Sequence, residues 1–316
     1  MRAHNHNYME NSVRKLIYVI PQAFDGKYLK DFLISQGFSQ DLIKQIKKTQ
    51  GLDMFHILKA NEEVKIDIIE DESSDIEPND QLDYEIMYED EDMIVINKPA
   101  DMPIHPSQGN HNNTLGNALA AHFNDRHFIY RPITRLDRDT SGVCLIAKNK
   151  FSASFFSMSI AKNFIKRTYL GICKGNVYNM IKMNPKLSSL DGFENIVDLQ
   201  VTINKPIKRK DESTIERCVA NDGEPAITKV YPLKYIENKN VTLCKFLLMT
   251  GRTHQIRVHM KYINFPIIGD FLYNPDYSLI DRQALHSSEM IVTHPVTKQI
   301  MRFDAKIPND MNLIIR

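Results

Sequence analysis

Apolar residues along the first seventy positions recur with two different periods. In GKYLKDFLISQG, Leu29, Phe32 and Leu33 stand at helical spacing, and Gly37 stops the pattern. Ser39 then offers an N-cap for a second helix, SQDLIKQIKK, with Leu42, Ile43 and Ile46 as its apolar stripe. Asp41 in its first turn and Lys47 and Lys48 in its last complement the helix dipole. The period falls to two in EEVKIDII, where Val64, Ile66 and Ile68 alternate, so a strand is predicted to close a helix–helix–strand unit. A unit of about 55 residues is marginal but feasible as a folded body.

After residue 88 short apolar runs dominate. MIVINKP, VCLIAKN, FIKRTYLGICKG, CVANDGEPAITKVYPL and VTLCKFLLMTG read as strands rich in β-branched and aromatic residues. FSASFFSMSIAKN reads as a helix with Phe151, Phe155 and Met158 on one face. No regular strand–helix–strand alternation appears, which predicts an α+β fold built on a mostly antiparallel sheet with flanking helices and loops. The expected division is a disordered or extended tail over 1–13, a small α/β domain over 14–69, an acidic linker over 70–88 and a large domain over 89–316.

Charge alters this picture in one place. Residues 70–93 hold twelve of the 39 acidic side chains and no Lys or Arg, leaving 27 acidic against 40 basic residues elsewhere, an excess of 13. Like charges extend a chain, hence the linker, and the basic remainder suits either a solvated surface or a polyanionic partner. Composition adds little: 42% hydrophobic and 25% charged residues befit a globular protein. The four cysteines (144, 173, 218 and 244) form no C-x-x-C pair, the N-terminus shows no apolar h-region, and no run of 18 apolar residues occurs. A cytoplasmic protein with reduced thiols is expected.

The chemistry narrows by elimination. Neither G-x-G-x-x-G nor G-x-x-x-x-G-K-[ST] occurs, His254 and His259 are five apart without a cysteine cluster, and Ser141 lacks the glycines of a nucleophile elbow. No cofactor and no metal are expected. Two segments remain. In TRLDRDTSG, Asp137 could be a nucleophile, since a neighbouring guanidinium favours a carboxylate's charged form, or half of a surface ion pair. Asp139, two residues on, reads as a loop-holding residue, because a glycosidase pair must lie on opposite sides of a sugar. In TGRTHQIRVHMKYINFPIIGD, Ile256, Met260 and Ile263 seat a helix, while Arg252, His254, Arg257 and His259 either face solvent or line an anion-binding cleft.

Taken together and in order, YEDEDMIVINKPADMPIHPS, TRLDRDTSGVCLIAKN, KRTYLGICKG, KPIKR, DGEPAITKVYPL, TGRTHQIRVHM, FPIIGDFLY and ALHSSEMIVTHP resemble the motifs of RluA-type pseudouridine synthases, from about Glu89 to Pro308. The resemblance implies a catalytic Asp137, an active-site Tyr169 and an active-site Arg257. It implies substrate contacts at Lys98, His105, Thr134, Arg135, Leu136, Arg138, Arg252 and His254. Thr134 stands where the family usually has His, a change bearing on substrate choice. The first unit is similar to ribosomal-protein-S-four-like RNA-binding domains, which implies RNA contacts at Lys44, Lys47 and Lys48, although KTQGLDMFHIL replaces the usual Asn-Gly turn. The implied protein is a monomeric RNA pseudouridine synthase needing no cofactor. Its partner would be RNA, with large-subunit (23S) ribosomal RNA ahead of tRNA, and a silent RNA-binding protein is the alternative from another class.

Overall fold

The structure, a computed structural model, describes residues 12–70, 74–123, 128–179, 193–194, 199–211, 213 and 215–316. Strand β1 (Ser12–Val19) pairs antiparallel with β2 (Glu63–Glu70), with helices α1 (Leu29–Gln36) and α2 (Gln40–Gln50) between them in the chain. Leu16, Phe32, Leu33, Ile43, Ile46, Ile66 and Ile68 share one core, and Ser39 caps α2 by accepting the Leu42 N–H. Strand β1 was not expected from the pattern, and it starts inside the anticipated tail. A two-stranded sheet has one uncovered face, so Ile17 and Val19 stay exposed and no clean apolar alternation marks the strand.

The large body is built on one sheet. Its strands are β3 (Glu85–Glu89), β4 (Met93–Lys98), β5 (Arg131–Pro132), β6 (Ser141–Ala147), β7 (Lys166–Lys174), β8 (Phe193–Glu194) and β9 (Val201–Asn204). After a separate hairpin of β10 (Ile207–Arg209) and β11 (Arg217–Val219) come β12 (Ile227–Ile236), β13 (Val241–Leu248), β14 (Leu285–Thr293) and β15 (Ile300–Asp304). The order is β3-β4-β6-β14-β7-β13-β12-β9-β8, with β5 on β6 and β15 on β14, and among these pairs only β14 with β6 is parallel. Helices α3 (Leu115–His122), α4 (Lys150–Ala161), α5 (Gln255–Tyr262) and α6 (Asn309–Ile315) complete the body. The expected mostly antiparallel α+β sheet is what forms.

Both faces of the sheet centre are covered, which explains the unbroken apolar run MIVI. Ile94 and Ile96 join a core with Tyr169, Ile256 and Met260, while Met93 and Val95 join another with Val143, Phe156 and Met290. The parallel contact dictates a glycine: at Gly142, with φ of 110°, a Cβ would sit 2.2 Å from the Ser287 carbonyl oxygen.

Two expectations need correcting. The acidic segment is not a plain extended linker: Glu85–Glu89 forms β3, and Ile76, Leu82 and Tyr84 pack on the main core. Cations neutralise its buried acids, Arg131 bonding Glu70 at 2.7 Å and Arg14 bonding Asp92 at 2.8 Å. On α4 the buried residues are Phe151, Ser152, Phe156 and Ser159 rather than a single Phe151–Phe155–Met158 face. The helix has two partners: Phe151 enters the N-terminal core and Phe156 the sheet core.

Candidate active site

The loop from Thr134 to Thr140 delivers Asp137 to the edge of β6, and several ties shape it. The Thr140 N–H donates to the Asp137 carbonyl at 3.1 Å, Arg282 donates to the Asp139 carbonyl at 3.0 Å, and Lys98 donates to the Arg138 carbonyl at 2.9 Å. Lys98 is therefore a loop anchor inside the protein, fully buried, with two further bonds to the carbonyls of Pro99 and Met102. Burial pulls its ammonium down to about 8, against the pull of Cys144, Asp137 and Asp139. It does not reach the cleft described below, so the expected substrate contact at Lys98 is not where the structure puts it.

Asp137 meets α5 across 120 positions of sequence. Arg257 Nη1 donates to Asp137 Oδ2 at 2.8 Å, while its Nε and Nη2 donate to the two oxygens of Asp270 at 2.7 and 2.8 Å. The Arg257 side chain is 1% exposed and lies between the rings of Phe271 and Tyr273. Burial acts to lower the pKa of this guanidinium, but the bonds and charges of Asp270 and Asp137 outweigh it and the net shift is upward. Asp270 is fixed in turn by the N–H groups of Leu272 and Tyr273. Among the described residues Asp137 Oδ1 accepts no hydrogen bond; His254 Nε2 lies 3.9 Å from it.

His254 precedes α5 with φ of 57°. Its Nδ1 is 3.0 Å from the Tyr273 hydroxyl, which accepts the Arg217 N–H at 2.9 Å and has its own proton for Nδ1. That tautomer leaves the His254 proton on Nε2, toward Asp137. Burial lowers the His254 pKa, and Asp137 opposes it.

Tyr169, on β7 between Phe246 of β13 and Ser287 of β14, is 6% exposed, and burial pushes its phenol pKa upward. Asp137, Tyr169, His254 and Arg257 line one cleft of about 560 Å³, together with Thr134, Arg135, Leu136, Arg167 and the loop 249–253. That size and a polar floor suit one nucleoside.

The remaining predicted contacts scatter. Arg135 is exposed on the cleft rim, and Leu136 is buried in its wall. Thr134 lies in the wall, yet its hydroxyl accepts the Leu145 N–H at 2.9 Å and so ties the loop to β6. Arg252 sits on the rim, held by Glu224 and by the Pro225 carbonyl. Arg138 turns away to a two-pronged pair with Asp139 at 2.8 and 3.0 Å, which supports the loop-holding part expected of Asp139. His105 is exposed against the Tyr130 ring and outside the cleft wall. His259 is buried, bonded to Thr228 and to the Lys205 carbonyl, so it faces the core rather than an anion. Lys44, Lys47 and Lys48 are exposed on α2, with Lys44 bonded to Asp41 at 3.0 Å.

The family model described as RNA pseudouridylate synthase matches residues 92–262, a span that contains Asp137, Tyr169 and Arg257. The chain belongs to the RNA pseudouridine synthase family. Within it, the chain is 32% identical over 298 residues to a Bacillus subtilis protein described as the uncharacterized RNA pseudouridine synthase YjbO, covering 91% of this chain and 98% of that one. It is 31% identical to the ribosomal large subunit pseudouridine synthase D of Buchnera aphidicola, over 92% and 89% of the two chains. Human RNA pseudouridylate synthase domain containing 1 shares the fold, with a TM-score of 0.54 at 23% identity over 73% of this chain and 86% of that one. As an RNA pseudouridine synthase the protein is an isomerase acting on RNA. No helix among the described residues is long and apolar enough to cross a membrane.

Asp270, Phe271 and Tyr273 around Arg257, and Arg167 in the cleft wall, were not singled out from the sequence. Asp270 and Tyr273 lie inside FPIIGDFLY, a motif noticed only for its order in the chain. No spacing rule links them to Arg257, because the turn after α5 creates the contact.

Proposed function

We propose that this enzyme isomerises specific uridines of large-subunit ribosomal RNA, with Asp137 as the reacting carboxylate. The observation that carries this reading is the division of labour on Asp137: Oδ2 is clamped by a buried Arg257 at 2.8 Å, while Oδ1 is left unbonded at the wall of a nucleoside-sized cleft. A carboxylate held by one oxygen is aimed without being used up. Relatives named as ribosomal large subunit enzymes support the choice of RNA. The lysines on α2 would add contacts from an RNA-binding N-terminal unit.

In the reaction the bond from ribose C1′ to uracil N1 breaks, the ring turns, and C1′ joins C5. The proton lost from C5 and the proton gained at N1 balance, so no redox partner enters. Asp137 would act on the uracil or on the ribose to free the ring. Tyr169 would stack on the ring and assist removal of the C5 proton, directly or through water. A uridine stacked in a helix is out of reach, so it must flip into the cleft at a cost of a few kcal/mol, offset by phosphate contacts.

Asp137→Asn should abolish pseudouridine formation and leave RNA binding within a few-fold of wild type. Pseudouridine mapping over all stable RNAs, with and without the gene, identifies the target. A site lost from tRNA would move the assignment there, and an unchanged map would remove the enzymatic reading.

A further inference from the structure

The charges around the cleft are nearly all matched, with one exception inside it. Arg257 is held by Asp137 and Asp270, and Arg252 by Glu224. Arg135 points to solvent, where an unpaired guanidinium is cheap. Arg167 on β7 also lines the cleft and is half-buried, yet among the described residues no carboxylate lies within ion-pair reach of it. Its Nε is buried with no hydrogen-bond partner. Among the described residues its only side-chain hydrogen bond is a long one, from Nη2 to the Thr250 carbonyl at 3.4 Å. A guanidinium carries five donors, and a half-buried one without a carboxylate is costly unless an anion completes the set.

The neighbourhood keeps this side chain in place and accessible to an anion. Nη1 lies 2.7 Å from where a Cβ on Gly251 would stand, so the absence of a side chain there makes room for the guanidinium beside the 249–253 loop. Arg167 and Tyr169 are two apart on one strand, hence on the same face and about 6.6 Å apart along it. That separation resembles the distance from a nucleotide's base to its own phosphate. A uracil stacked on Tyr169 would therefore bring a phosphodiester to Arg167.

We propose that Arg167 binds an RNA backbone phosphate next to the uridine that occupies the cleft, through the terminal nitrogens of its guanidinium, since Nε itself is buried. The proposal rests on the reading that the target uridine lies between Asp137 and Tyr169. It gives the RNA a second anchor on the strand that carries Tyr169, so base and backbone are located by one rigid element. The rival role is purely electrostatic, since Arg167 also opposes the upward shift of the Tyr169 phenol that burial causes.

Arg167→Met, Arg167→Gln and Arg167→Lys separate these roles. The substrate is deproteinised total RNA from a strain lacking the gene, and single-turnover conversion is read at the uridine that the wild-type enzyme modifies. The neutral variants should raise the half-saturating RNA concentration roughly ten- to a hundredfold, as expected for a lost charge-assisted bond. The saturating rate should change far less. The dependence of log affinity on log salt should flatten by about 0.7, one single-strand phosphate, and Arg167→Lys should retain most of the wild-type slope. An unchanged slope, or a fallen rate at unchanged half-saturation, would overturn the phosphate assignment in favour of the electrostatic role. Failure of both neutral variants to fold would do the same in favour of a structural one. Asp137→Asn runs alongside: if it stays active, the cleft reading fails and takes this proposal with it. A modified site in tRNA would correct only the choice of RNA, leaving the Arg167 readout intact.

Discussion

Asp270 is what lets a guanidinium as buried as Arg257 spare a donor for Asp137. It takes two of the guanidinium's donors at 2.7 and 2.8 Å and is itself completely buried. A buried ion pair adds little net stability, but removing one partner leaves an uncompensated charge that costs roughly 3–5 kcal/mol. Asp270→Asn keeps the shape, cancels one charge and turns an N–H toward other N–H groups. The fork of Arg257 then loses its fixed orientation, and a misplacement of about 1 Å at the reacting group is worth roughly a hundredfold in rate. The expected result is a saturating rate down about a hundredfold, a lowered unfolding midpoint, and half-saturation by RNA within a few-fold of wild type. Asp270 never touches substrate in this account; a variant with wild-type rate, or one whose only defect is RNA affinity, would end its role as the residue positioning Arg257.

Among the elements, α5 carries the most. Its Ile256, Met260 and the following Ile263 are buried at the predicted spacing, and this seats Arg257. On another side His259 gives Nε2–H to the Lys205 carbonyl and accepts from Thr228 at Nδ1, both at 2.9 Å, which satisfies only the neutral ring. Burial depresses its pKa from 6.5 to about 4, while the Lys205 carbonyl opposes. The unfolded chain takes up this proton near pH 6.5 and the folded one only near 4. Stability from this group is thus complete above pH 6.5 and is lost as the pH falls to about 4, at most about 3 kcal/mol for a shift of that size. Urea unfolding between pH 7 and 4 should show this slope, and His259→Gln should show less of it; equal slopes would assign the acid sensitivity to other groups. The period that predicted α5 could say which face is buried, yet not that His259 belongs to it while His254, five positions back, belongs to the cleft. The difference comes from the left-handed backbone at His254, which lies before the helix and outside its periodicity. That Asp137, Tyr169 and Arg257 would come together in one cleft was legible because each lies in a local motif. Asp270 and Arg167 were not, because their significance depends on what faces them across a turn or a sheet. Lys98 illustrates the opposite error: a cation in a motif looks like a ligand contact until its three carbonyl partners are known.

At the scale of the whole molecule, the N-terminal unit is docked rather than strung on a linker. Phe151 of α4 belongs to its core and meets Phe38 with ring centroids 4.5 Å apart. Ser154 accepts the Ser39 N–H at 2.8 Å and donates to the Gly37 carbonyl at 2.9 Å. The pairs Arg14–Asp92 and Arg131–Glu70 flank this contact, and Lys298 reaches the Gln36 carbonyl at 3.0 Å. Domains in one chain move against each other by default unless their interface is apolar and well packed, and a shared phenylalanine core supplies such an interface. RNA held by α2 would then meet the Asp137 cleft at a fixed distance, which is a means of choosing one uridine among many. Phe151→Ala removes the apolar link and leaves the ion pairs, at a cost of about 3–5 kcal/mol for a buried phenylalanine. Wild-type protein should unfold in one calorimetric transition and resist proteolysis within residues 74–84. The variant should unfold in two transitions and be cut there faster, while Asp137, Tyr169 and Arg257 keep their places. A lasting loss of selectivity among RNA sites, with the chemical step intact, is the functional result expected of loosened docking. One transition and wild-type cleavage in Phe151→Ala would instead mean that the polar pairs alone hold the unit down.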